Sequence, residues 1–154
     1  KSLELAANKY IARHENDPDF HGNFQTGGLA STALELLTGH KAEALSPEGS
    51  ASLSLFGSNK EQTKEEVVIN FLGTHEDKLD STAIVFSAGV DPNTGLPIRK
   101  DSPVSAGAHE FVITNIDTKA GTVTFVNPWN TSKPITMDID EFAKLPNLIE
   151  TVDL

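Results

Sequence analysis

The sequence predicts an α+β fold, and three features carry that expectation. Residues 109–116 and 122–129 are rich in Val, Ile, Thr and Phe, with a polar, Gly-containing turn between them, which is the pattern of a β-hairpin. Residues 82–88, Thr-Ala-Ile-Val-Phe-Ser-Ala, make an apolar run suited to a strand buried on both sides or at a sheet centre. Apolar residues recur at helical spacing before these strands. At 154 residues the chain can bury one core, and no repeat or low-complexity tract divides it, so residues 1–154 read as a single domain.

The elements follow in order. Leu3, Ala6, Ala7 and Tyr10 share one helical face, and that helix gives out in His14-Glu15-Asn16-Asp17 before Pro18. A second helix spans about Leu29 to Thr38, with Ala30, Ala33, Leu34 and Leu37 as its buried stripe and Gly39 past its end. Its lead-in, Thr26-Gly27-Gly28, has the glycines of a phosphate-binding turn, but no Lys-Ser/Thr pair follows, and plain backbone freedom is the simpler reading. Residues 46–60 form a small-residue loop in which Leu53, Leu55 and Phe56 pack down. A third helix starts near Asn59 or Thr63, where Thr63-x-x-Glu66 has the form of a capping box; Val68, Phe71 and Leu72 face the core and Gly73 ends it. After the 82–88 strand, Asp91 to Gly107 is a long loop running directly into His109, either bordering a site or making a surface excursion. Beyond the hairpin, Pro134 to Asp138 gives a strand, Asp140 caps a short helix at Glu141–Leu145, and Ile149–Leu154 closes the sheet.

The hairpin places a histidine and an asparagine side by side. A three-residue loop, Thr118 to Ala120 with Gly121 in the left-handed bulge position, pairs Asp117 with Gly121. Counting back, Phe111 faces Asn127 and His109 faces Trp129. One face then carries His109, Phe111, Ile113, Val123, Phe125, Asn127 and Trp129, and a one-residue slip would put His109 and Asn127 on opposite faces. The register that buries the most apolar surface also brings these two polar side chains together. Such a pair suits thiol catalysis. A cysteine needs an adjacent imidazole to become a thiolate, and the same ring later protonates the leaving amine. A neutral amide can fix the ring's tautomer and orientation, and Trp129 would shield their hydrogen bond from water. The plainer alternative is a structural histidine at a strand start and an Asn-Pro turn at a strand end.

His109-x-Phe111-x-Ile113-Thr114, followed by a strand ending Asn127-Pro128-Trp129, resembles the second half of the calpain-like branch of papain-fold cysteine proteases. Leu3-Glu4-Leu5-Ala6-Ala7-Asn8-Lys9-Tyr10 is similar to the helix that opens that subdomain, and Thr26 to Gly39 is similar to its Gly-Gly helix and turn. The likeness covers most of the chain in outline, with His109 and Asn127-Pro128-Trp129 as its specific parts. It implies an antiparallel half-barrel with flanking helices, His109 as general base, Asn127 as its orienting partner and Trp129 as the shielding indole. Asn130 departs from the glycine usual after the tryptophan, and Glu110 from the usual small residue.

In that family the nucleophilic cysteine and an oxyanion-hole glutamine lie on an N-terminal helical subdomain. This sequence has no cysteine, and neither Gln25 nor Gln62 precedes a Gly-x-Cys helix start. The expectation is a fragment of a cysteine endopeptidase, inactive alone, whose nucleophile-bearing half precedes Lys1 or arrives on another chain. The alternative is a catalytically silent papain-like module that binds other proteins. Composition narrows the partners. A net charge of −10 and a pI near 4.8 argue against nucleic acid and anionic membranes, while the resemblance implies a protein or peptide substrate. No apolar run is long enough to span a bilayer; the chain is expected to be soluble, with cytoplasmic and secreted locations both open. No cofactor is expected. His14, His21, His40 and His75 show no zinc-ligand spacing, whereas Asp77, Asp80, Asp91 and Asp101 leave calcium as a minor alternative without an EF-hand loop. Asp138 and Asp140 alternate on a strand end, where paired carboxylates could do acid/base work, but a helix cap accounts for Asp140 more simply.

Overall fold

A computed structural model of the chain describes residues 30–50 and 62–154. The expected Leu3–Tyr10 helix, the Thr26–Gly28 lead-in, His14, His21, Gln25 and the Leu53–Phe56 segment lie outside the described residues. The described part is α+β. In chain order it contains α1 (Ala30–Thr38), β1 (Glu43–Leu45), α2 (Pro47–Ser50), α3 (Lys64–His75) and a 3-10 turn (Glu76–Lys78). There follow β2 (Thr82–Val90), β3 (Pro97–Ile98), β4 (Ala108–Asp117), β5 (Thr122–Asn127), β6 (Asn130–Asp138), α4 (Ile139–Phe142) and β7 (Leu148–Asp153). The strands make a seven-stranded sheet in the order β1-β7-β2-β4-β5-β6, with β3 also on β2, and their pairings are antiparallel.

β2 lies at the sheet centre between β4 and β7, which is why its residues are apolar on both faces. β7 does not close the sheet. It is interior, because β1, a short strand with no counterpart among the sequence expectations, pairs along its outer side, and the loop expected from residue 46 opens instead with α2. On one face α3 and α4 cover the sheet: Val68 and Leu72 meet Ile139 and Phe142 over Phe86, Phe111 and Phe125. The Phe86 ring lies 5.2 Å from those of Phe111 and Phe125 and 4.8 Å from that of Phe142, with edge-on contacts to the latter two.

Several helix boundaries differ from the sequence expectation. The capping box forms: Thr63 Oγ1 accepts from the Glu66 N–H and the Glu66 carboxylate accepts from the Thr63 N–H. Gly73, however, does not end α3, which runs on to His75. The His75 ring stacks on Phe71 at 4.0 Å and its Nδ1 lies 2.8 Å from the Phe71 carbonyl, so the last turn is held by a side chain rather than released at the glycine. Asp140 is not a cap. The Ile139 N–H donates to the Gly121 carbonyl at 2.9 Å, which starts α4 at Ile139 and makes Asp138 the cap residue, with Asp140 inside the first turn. Asp138 and Asp140 therefore do not share a strand. Leu37, expected in the buried stripe, is 68% exposed. The N-terminal end of α1 is instead fastened to the sheet by Glu150, whose carboxylate accepts the N–H groups of Ala30 and Ser31 at 3.1 and 2.9 Å.

The hairpin turn is also shifted. Asp117 pairs with Thr122, not Gly121, leaving Thr118–Gly121 as the loop, with the Ala120 N–H bonded to the Asp117 carboxylate and Gly121 at φ 71°. The register changes between Ile113 and Asn115, so Thr114 is an extra residue on β4. Past the bulge, Ile113 pairs with Phe125 and Val112 with Val126, which is the alignment the sequence predicted for this end. The bulge also explains why Ile113 and Ile116, three apart, are both buried.

Candidate functional site

His109 is the second residue of β4 and Asn127 the last of β5, on neighbouring antiparallel strands. Their side chains meet: His109 Nε2 lies 2.9 Å from Asn127 Oδ1. Alternation along β4 points His109 to the same side as Phe111 and Ile113, and the Phe111 ring stands edge-on beneath the imidazole at 5.0 Å. Trp129 covers the other flank, its ring centroid 3.9 Å from that of His109 at an interplanar angle of 43°. The indole was expected to be a shield. It does lie on the imidazole, but it is itself 72% exposed.

Asn127 is 5% exposed, and both ends of its amide are engaged. The Trp129 backbone N–H donates to Oδ1 at 2.9 Å, a turn closed two residues on that Pro128, with no N–H of its own, permits. Nδ2 donates to the Gly95 carbonyl at 2.9 Å. An N–H can only be met by the oxygen and a carbonyl only by the NH₂, so the amide has one orientation. The consequence reaches His109. Oδ1 accepts only, so in the neutral ring the proton sits on Nε2 and the Nδ1 lone pair is left as a base. Among the described residues Nδ1 has no hydrogen-bond partner.

Gly95 was not singled out from the sequence, although the Asp91-Pro92-Asn93-Thr94-Gly95 turn signal was visible. The loop is tied down. Asp91 N–H donates to the Leu96 carbonyl, Gly95 N–H to the Asp91 carbonyl, and the Asp91 carboxylate accepts from the Asn93 N–H, which holds that carboxyl below its usual range. Gly95 has φ 71°, and a Cβ there would sit 3.3 Å from Asn127 Nδ2, so both conformation and contact favour glycine. Gly89 matters for a similar reason: a Cβ would come within 2.9 Å of the Ile98 and Arg99 carbonyls and the Ser105 hydroxyl, where the returning loop lies against β2.

Glu110, next to His109, leaves the opposite face of the sheet. Burial, then the carboxylate of Glu150, push its carboxyl up to about 7 against a weaker downward pull from Ser87. Its Oε2 is buried with no hydrogen-bond partner among the described residues. Strand alternation alone puts Glu110 on the face opposite His109, but no signal in the sequence points to Glu150 beside it.

The remaining candidates lie elsewhere. His40 Nδ1 is bonded to the Asp153 carbonyl and His75 to the end of α3. Asp101 is held by Arg99. Among the described residues no group of three or more His, Asp or Glu side chains is arranged to hold a metal ion, and no helix is long and apolar enough to cross a membrane. Comparisons with protein-family models, with curated proteins and with solved structures return no match for this chain.

Proposed function

We propose that the chain supplies the general base His109 and its orienting partner Asn127 to a Cys-His-Asn site of a calpain-like cysteine endopeptidase, with the thiol brought by a separate subdomain or chain. The observation that carries this is the fixed amide of Asn127, which keeps the neutral imidazole protonated at Nε2 and leaves Nδ1 unshared among the described residues. A thiol presented to Nδ1 would pass its proton to the ring. The resulting imidazolium keeps its Nε2–H bond to Asn127 while the thiolate attacks a peptide carbonyl, and the Nδ1 proton goes to the departing amine. Water then hydrolyses the thioester with the same ring as base. Stabilisation of the oxyanion falls to the thiol-bearing part, where the family carries its glutamine.

A second reading, a catalytically silent binding module, draws support from the exposed apolar side chains of Trp129, Val104 and Leu96, the last next to Gly95. One experiment separates the two. The chain is mixed with a calpain-like helical subdomain bearing the Gln and Gly-x-Cys segments, and hydrolysis of a peptide substrate is followed across pH. Thiol-dependent turnover with a bell-shaped profile is expected, with His109→Ala lowering it by roughly 10³-fold or more. Turnover indifferent to that substitution removes His109 from the mechanism; a tight complex without hydrolysis favours the binding module. A thiol-alkylating probe should label the complex and never this cysteine-free chain.

A further inference from the structure

One edge of β2 is shared by two partners. Gly89 pairs with Ala108 of β4 on one side and with Ile98 of β3 on the other, so β3 occupies the lane that β7 holds further down. β7 reaches Leu148 opposite Ser87, with the Asn147 N–H still donating to the Ser87 carbonyl at 2.8 Å; β3 takes over at Gly89. The lane therefore changes hands opposite Ala88. Beside this seam a cavity of about 520 Å³ opens, of a size that holds a small molecule rather than a single ion.

Its lining is unlike the rest of the chain. Lys64, Arg99, Lys100 and Lys144 line it, four of the twelve basic residues of a protein whose net charge is −10. Two carboxylates, Glu48 and Asp101, share the wall, which leaves a local excess of positive charge. Asp101 takes the Nε and Nη2 edge of Arg99 at 3.1 and 3.0 Å, whereas Glu48 reaches Lys64 only at 3.5 Å. Lys144 is paired with Glu141, outside the lining, and Lys100 makes no ion pair among the described residues. Asn147, also in the lining, contributes an amide whose Nδ2 is buried and has no acceptor among the described residues. A buried donor left unmatched in a basic cavity is complementary to an oxyanion.

We propose that this cavity binds a compact polyanion carrying two or more phosphoryl groups, through the ammonium groups of Lys64, Lys100 and Lys144 and the amide of Asn147. Asp101 occupies the Nε–Nη2 edge of Arg99 and leaves its Nη1 side open, while the ammonium groups act as point charges suited to phosphoryl oxygens. The site is independent of the protease reading. It is nevertheless close to His109, which pairs with Ala88 from the other edge of β2, so about two strand spacings, roughly 10 Å, separate the seam from that residue.

Titration calorimetry of the full chain with inorganic tripolyphosphate, at low and at physiological salt, tests this. Saturable binding that weakens with salt is expected, reduced on the order of tenfold by Lys100→Gln and further by Lys64→Gln. Asn147→Asp should abolish it, and Lys119→Gln, in the hairpin turn, should leave it intact. Lys100 is exposed, so its variant should fold, which a thermal melt verifies. No binding at millimolar tripolyphosphate, or binding indifferent to Lys100→Gln, overturns the proposal. Citrate binding as tightly as tripolyphosphate overturns the phosphoryl assignment.

Discussion

His109 and Glu110 are consecutive on β4, yet their side chains leave opposite faces of the sheet into differently furnished surroundings. On the His109 side, the amide of Asn127 satisfies the imidazole, a backbone N–H and a backbone carbonyl at once. On the Glu110 side, a carboxyl oxygen is buried with no partner among the described residues and a second carboxylate, Glu150, lies near enough to oppose its ionisation. One face spends its polar groups on a single geometry; the other holds a group whose cost depends on its proton. Matched and unmatched polar groups one residue apart should therefore respond to substitution in opposite ways.

The largest effect is expected from Asn127→Ala. It removes three contacts from a nearly buried position and orphans the Trp129 N–H, the Gly95 carbonyl and His109 Nε2 together. The loss of unfolding free energy in urea should be about 2–4 kcal/mol. The nitrogen-15 spectrum of the His109 ring should change from a single Nε2–H tautomer to a mixture of both. A loss below about 1 kcal/mol, with the tautomer unchanged, would mean that the amide does not organise this face.

How far this contrast was readable from sequence depends on the range of each interaction. The meeting of His109 and Asn127 was legible, because alternation through Phe111, Ile113, Val123 and Phe125 selects one alignment. The turn that produces it was not. The extra residue at Thr114 compensates a one-residue shift at Asp117, and the only local sign was the break in alternation between Ile113 and Ile116. Gly95 and Glu150 were beyond reach for another reason. Gly95 meets Asn127 across 32 residues, and Glu150 meets Ser31 across 119, so no window of sequence contains either pair. Gly73 and Asp140 failed for different reasons: a contact inside the last turn, His75 on Phe71, carries α3 past its glycine, and a bond from outside the helix, Ile139 N–H to the Gly121 carbonyl, starts α4 before Asp140.

Glu110→Gln should give the next effect, with the opposite sign. The Glu110 carboxyl lies at about 7 in the fold against an ordinary 4.5, so between those pH values the folded chain holds a proton that the unfolded chain releases. The stability tied to the neutral form is fully present below 4.5, falls as pH rises towards 7 and is level above it. A glutamine has no proton to lose. Near pH 4 the variant should match the parent, and at pH 8 it should be more stable by about 1–2 kcal/mol, a figure reduced from the full shift to allow for solvent screening. Urea denaturation at the two pH values decides it: an equal difference at both would remove ionisation as the cause.

The smallest change in stability, and the sharpest probe of the His109 face, comes from Trp129→Ala. With 72% of its surface exposed, the indole has little area to lose, and the backbone N–H that orients Asn127 survives the substitution. Stability should fall by less than about 1 kcal/mol. The ring nonetheless lies 3.9 Å from the imidazole, and its removal opens one side of the Nε2–H to water. The His109 ring proton should then exchange faster, its NMR signal broadening or vanishing while the tautomer set by Asn127 stays the same. The two outcomes assign separate duties, with orientation carried by the amide and protection by the indole. A ring-proton signal as sharp in Trp129→Ala as in the parent would leave Phe111 and the strand backbone as the shield, and the tryptophan as a surface feature that a partner covers.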